Sequence, residues 1–206
     1  MANRREAALG AIRSRFEARD VDYAESQPFD VLKWKIIEGA MAMANLRDGG
    51  FLIVGVSQRS VHPELQGISD EDLRTFDPDD VIEAINKYAK PPVEAAVYTI
   101  EEGAKKFLVI DIAPFDRTPV MCSKTAPGDS GRKFKSGNIF ARSPERVSTT
   151  RVAEYSLMAE IIEIAAEKRA ADIISTAQRI GLRMPSSDRD SFARERSEFG
   201  DMGWEA

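Results

Sequence analysis

A chain of 206 residues, 43% hydrophobic and 31% charged, has the size of one ordinary globular domain with room for an appended helix. Its formal charge of -5 excludes wholesale electrostatic coating of nucleic acid, although a net sum is silent on local patches. The single Cys122 excludes an intrachain disulfide and a thiolate zinc cluster, and the absence of any apolar run near ~18 residues or of a signal-peptide core sets the expectation of a cytoplasmic protein with no membrane contact.

Residues 3 to 19 place Ala7, Leu9, Ile12 and Phe16 among many charges and predict an amphipathic helix, the distinct segment 1–20. After a polar bend, Leu32, Ile36, Met43 and Leu46 fall near one face of a helix over 29–47, with small Ala40, Ala42 and Ala44 allowing close approach. Asp48-Gly49-Gly50 is expected to stop it, because glycine readily takes the left-handed conformation that ends helices. Phe51 to Val56 is apolar at nearly every position and predicts a strand covered on both faces. The polar stretch that follows holds His62, the single histidine, in "RSVHPELQG"; an exposed loop residue is the simpler reading than a member of a nucleophilic triad.

Asp77 is an N-cap and Pro78 a first helical residue for a short helix with Val81, Ile82, Ile85 and Tyr88 inward, closed by Pro91-Pro92. "VEAAVYTI" and "KKFLVIDIA" form a hairpin signal across Glu101-Glu102-Gly103-Ala104, and "GRKFKSGNIFARS" suggests another turning at Ser136-Gly137-Asn138. From a cap at Ser148 or Thr149 one long helix runs to a stop at Gly181. Over segment 153–182 it makes a rod of about 45 Å, so part of it is expected to meet another chain or the N-terminal helix. Residues 183–206 read as a mobile polar tail. The fold class is α+β: a mixed or antiparallel sheet with flanking helices and a long C-terminal helix.

This order of elements, with Ala44-Asn45, Gly49-Gly50, Leu52, Ile53, Gly55-Val56, Gly67, "VIDIAP" at 109–114, Pro119 and "IFARSP" at 139–144, resembles the Schlafen-type AlbA-like domain over residues 21–152. That family is described as DNA-binding or divergent ATP-binding domains of bacterial regulators. Its members open with a glutamate, a serine and a second acid before an aromatic residue and a lysine. The matching stretch here, "ESQPFDVLKWK", supplies Glu25, Ser26 and Asp30, with Lys33 or Lys35 farther on. Some Schlafen proteins are nucleases in which such a carboxylate pair works with a third acid just after the "GV" strand, a cluster able to hold Mg or Mn against a scissile phosphate. Here Ser57 takes that place, and a neutral hydroxyl is a poor metal ligand. The resemblance therefore implies a non-catalytic, regulatory nucleic-acid-binding protein without metal or cofactor, for DNA or RNA alike; a nuclease using Glu25, Asp30 and Mg or Mn is the alternative.

Charge distribution adds to this. Between Arg117 and Arg151 stand eight basic residues against two acidic ones, a basic segment within an acidic chain. Lys133, Lys135, Arg142 and Arg146 are the candidate phosphate contacts and Arg132 and Lys124 supporting charges, with Phe134 and Phe140 either stacking on bases or pointing inward. Asn45, Gly49 and Gly50 are expected to shape the floor of the site, and Gly55 to be structural. ATP or other nucleotide binding is disfavoured, since the order helix, glycines, strand presents the negative end of a helix to a phosphate and no "GKS" or "GKT" occurs. Assembly is the third class: the apolar stripe of the last helix predicts a homo-oligomer built on the terminal helices.

Overall fold

A computed structural model describes residues 2–57, 63–127, 134–144 and 150–182 of the chain. The expected tail, His62 and the expected contacts Arg132, Lys133 and Arg146 lie outside the described residues. Backbone packing divides the chain into two units, Met1–Ala166 and Glu167–Ala206.

The first unit opens with helix α1 (Ala2–Ser14), strand β1 (Val21–Ala24), helix α2 (Phe29–Ala44) and strand β2 (Gly50–Val54). Two short strands, β3 (Val56–Ser57) and β4 (Glu64–Leu65), pair with each other ahead of the one-turn helix α3 (Asp70–Leu73) and helix α4 (Pro78–Asn86). Then come β5 (Ala89–Lys90), the long hairpin β6 (Ala95–Glu102) and β7 (Lys105–Ile112), and the short strands β8 (Met121–Cys122), β9 (Phe140–Arg142) and β10 (Thr150–Val152). Helix α5 (Tyr155–Arg179) begins in the first unit and continues into the second.

Four strands form the main sheet in the order β1-β2-β7-β6. β1 runs parallel to β2, with α2 as the long crossover that parallel neighbours require, and the other pairs are antiparallel. The sheet is thus mixed and the class α+β, as expected. The hairpin turns at Gly103 (φ 63°) with Glu102 facing Lys105, a two-residue loop in which the first residue needs positive φ. Alternation sorts the side chains. Leu52, Val54, Leu108, Ile110 and Ile112 join α2, α4 and the first turns of α5 in the larger core. Phe51, Ile53, Phe107 and Val109 meet Ala8 and Ile12 of α1 on the other face. β2 is therefore buried on both sides, which is why its sequence is apolar at every position.

α4 starts as read, with the Asp77 carboxylate accepting from the Asp79 and Asp80 amides and Pro78 in its first turn. Three expectations are corrected. β1 was hidden in a presumed bend: it is four residues long with Asp22 in its middle, and no period-2 signal survives at that length. α2 ends at Ala44 with Asn45 as its C-cap, four residues before Gly49, so the glycine pair does not terminate it. Residues 150–152 are strand rather than helix, because they pair with β9. At the other end of α5, Gly181 (φ 74°) does serve as the stop: Leu182 N donates to Ala177 O at 2.9 Å, the Schellman pattern. No helix among the described residues is long and apolar enough to cross a membrane.

Candidate nucleic-acid interface

Asn45 lies against the basic segment, whereas the glycines expected beside it close other parts of the fold. Asn45 is buried; its Nδ2 donates to Val120 O (2.9 Å) and Phe140 O (3.0 Å), and its Oδ1 accepts from Val120 N (2.8 Å). One side chain thereby ties the end of α2 to the approach of β8 and to β9. The glycines allow backbone to meet backbone. A Cβ on Gly49 (φ 74°) would stand 2.0 Å from Ile112 O, and one on Gly50 2.5 Å from Asp20 O. A Cβ on Gly55 would lie 2.7 Å from the Gly67 carbonyl carbon. None of these contacts faces an open phosphate cradle.

Residues 121–126 and 134–138 run side by side through Cys122 N to Asn138 O (2.7 Å), Gly137 N to Cys122 O (2.8 Å) and Ala126 N to Phe134 O (3.0 Å). The expected turn exists, closed by Asn138 N to Lys135 O at 3.0 Å, but its arm pairs with 121–126 instead of folding on itself. Lys124 and Lys135 stand exposed, one on each arm. Phe134 and Phe140 are buried, 5.2 Å apart, so they support the platform from within and do not offer faces to a base. Trp34 of α2 lies 5.0 Å from Phe134 and 5.2 Å from Tyr88, and it alone of these four rings is only partly buried. The Lys124 ammonium sits 5.3 Å from the Tyr88 ring centre, a cation–π contact that holds it beside this cluster.

Arg142 is corrected as a phosphate contact. Its side chain is 0% exposed, with Nε donating to Arg19 O (3.1 Å), Nη2 to Val21 O (3.3 Å) and Nη1 lying 3.5 Å from Asp22. Lys35 Nζ is also 3.5 Å from Asp22 and donates to Tyr23 O. The two cations offset the buried Asp22 carboxylate, whose strand is too short to leave a period-2 signal in the residue order. Arg19 completes the link: its Nε donates to Arg142 O (3.0 Å), and its two terminal nitrogens grip Glu160 of α5 at 2.7 Å each. This bidentate hydrogen bonding pulls the Glu160 carboxyl below its ordinary 4.5. Burial pushes the Cys122 thiol up, so it is neither a ready nucleophile nor a ready ligand.

The expected carboxylate pair is divided in its contacts. Glu25 accepts from Ser57 Oγ at 2.7 Å, which joins the loop after β1 to β3. Ser26 Oγ donates to Asp72 (2.5 Å) and accepts from Ser69 N (2.9 Å), fastening the same loop to α3. Asp30, in the first turn of α2, lines an open cleft of about 390 Å³ with Lys33, Thr75, Asp80, Glu83 and Lys87. Among the described residues no three His, Cys, Asp or Glu side chains are grouped to hold a metal ion. The acids of the cleft outnumber its lysines, which disfavours a bound phosphate there.

Residues 17–149 match the model of the family described as Schlafen, AlbA_2. No curated protein matches the chain. Among solved structures, the DIP2311 protein from Corynebacterium diphtheriae is similar at 18% identity and a TM-score of 0.49, over 79% of this chain and 28% of that one. The N-terminal domain of a RecG-related protein from Nitrosomonas europaea, named for an ATP-dependent DNA helicase, is similar at 19% identity and a TM-score of 0.39, over 59% of this chain and 79% of that one. The chain thus spans just over a quarter of the length of the Corynebacterium protein. With the family match covering well over half of its residues and the mixed sheet in place, the chain belongs to the Schlafen AlbA_2 family.

Proposed function

We propose that the protein binds nucleic acid without cleaving it, in a regulatory role, through the surface carrying Lys124 and Lys135. The observation that carries this reading is the placing of those two exposed lysines on adjoining backbone arms, Lys124 against Tyr88 of the Trp34–Tyr88–Phe134 cluster, inside the one strongly basic segment of an acidic chain. Ammonium groups on a rigid platform can follow a phosphate backbone and displace its counterions, and family membership supports the same assignment. The non-catalytic part is supported by Ser57, which stands where an acid would serve a nuclease and donates its proton to Glu25. Several copies acting together would sum weak phosphate contacts into a useful affinity.

Titration of labelled single- and double-stranded DNA and RNA across a salt series tests the reading. Log affinity should fall linearly with log salt, and Lys124→Ala with Lys135→Ala should flatten that slope by about 1 per lost phosphate contact. Salt-independent or undetectable binding near physiological ionic strength would sink it. Cleavage of RNA in Mg or Mn that disappears in Glu25→Gln would replace it with the nuclease reading.

A further inference from the structure

Helix α5 has two apolar faces, and its own domain uses one of them. Leu157, Ile161 and Ile164 are buried in the larger core. On the opposite face, Tyr155, Ala159, Ile162, Ala166, Arg169, Ile173, Thr176 and Ile180 follow one another at alternating steps of four and three residues, the spacing of a coiled-coil seam. Its large members are bare: Tyr155 is 92% exposed, Ile162 57%, Ile173 63% and Ile180 64%. The seam runs about 37 Å at the helical rise per residue. The other terminal helix offers no comparable face, because Ala8 and Ile12 of α1 are buried against the sheet.

We infer that this seam pairs with the same seam of a second copy, antiparallel, to make a homodimer. The charge on the seam selects the partner and its direction. In a parallel, in-register pair the two Arg169 side chains would face each other in the apolar layer, where like charges repel strongly. Turned antiparallel, each Arg169 lies across the partner's Ala166, whose methyl leaves room for the long side chain to reach the partner's Glu163 one turn away. The same register sets Ile162 on the partner's Ile173 and Tyr155 on the partner's Ile180, so all the large exposed apolar groups of the seam are covered together. Every contact occurs twice by the two-fold axis, which closes the assembly at two copies. The inference is independent of nucleic-acid binding.

Light scattering coupled to gel filtration of the full chain, at roughly tens of micromolar, should give twice the 22.9 kDa of one chain. Ile162→Asp with Ile173→Asp should weaken association at least ~100-fold and give single chains. Because both isoleucines are exposed in the single chain, far-ultraviolet dichroism should stay close to that of the parent, while the thermal midpoint should fall by what dimerisation contributes and lose its dependence on protein concentration. Direction is read by cross-linking, since the native Cys122 is buried. A mixture of Ile162→Cys and Ile173→Cys chains should form disulfides about tenfold faster than either variant alone. A parent of single-chain mass, a dimer that survives the double aspartate substitution, or Ile162→Cys linking fastest to itself would each overturn the proposal.

Discussion

Arg142 carries a full charge in a place with no water, and its value lies in what it neutralises. Removing one partner of a buried ion pair leaves the other charge stranded, which costs about 3–5 kcal/mol. Arg142→Met should therefore lower the free energy of unfolding in urea by about 3 kcal/mol, the low end of that range because Lys35 still faces Asp22, while leaving the salt slope of nucleic-acid binding unchanged in whatever folded fraction remains. Loss of slope without loss of stability would return Arg142 to the phosphate surface. Asn45 works in the same way with neutral groups. Asn45→Ala leaves Val120 N, Val120 O and Phe140 O without their partner in a buried site, and unfolding by denaturant should show a loss of about 3 kcal/mol or more. Both residues sit within the segments that carried the family resemblance. Their roles still escaped the residue pattern, because an arginine near other basic residues and an asparagine at a helix end look alike whether they face solvent or the interior.

The elements at the margins are held by arginines as well as by their apolar faces. α1 contributes Ala8 and Ile12 to the core, and Arg4 reaches Asp111 at 2.7 Å, Asp48 O at 2.9 Å and Ile112 O at 3.2 Å. Arg13 grips Glu102 with two bonds of 3.0 Å. Near the first turns of α5, the Arg19–Glu160 pair does the corresponding work. Since the folded Glu160 carboxyl titrates below its ordinary 4.5, its contribution is fully present above that value and is lost as pH falls through the depressed folded value. In acid titrations followed by dichroism, Glu160→Gln should start from lower stability at neutral pH and lose less of it on acidification than the parent does. Equal pH dependence of the two proteins would show that the pair contributes nothing measurable. The helices themselves were legible from periodicity and caps: Asp77-Pro78 opens α4 and Gly181 closes α5 as read. The ends decided by partners were not. α2 stops at Asn45, where that side chain is claimed by β9 and the approach to β8, and residues 150–152 become a strand because β9 offers them a ladder.

At the level of the whole molecule, binding and stability are linked by mass action. A nucleic acid that binds only the folded protein stabilises it by about 2.7 kcal/mol at a concentration of 100 times its Kd. For a chain of this size that raises the thermal midpoint by roughly 5–10 °C. The shift should shrink with added salt and be smaller in the chain carrying Lys124→Ala and Lys135→Ala at the same oligonucleotide concentration, as read by a dye-based melt. An undiminished shift in that variant would move the interface away from these lysines.

The amino-acid order by itself determined the α+β class, the doubly covered strand at Phe51–Val54, the β6–β7 hairpin and the family, because each rests on local periodicity, turn chemistry or a short ordered string of residues. Only the tertiary structure decided that Phe134 and Phe140 point inward, that Arg142 serves Asp22, that Ser57 engages Glu25 and that Lys124 and Lys135 share one platform. Those outcomes depend on which distant segments pack together. Burial turns a charge or a ring from a binding group into a structural one, and burial belongs to the folded chain, with no trace in the spacing of its residues.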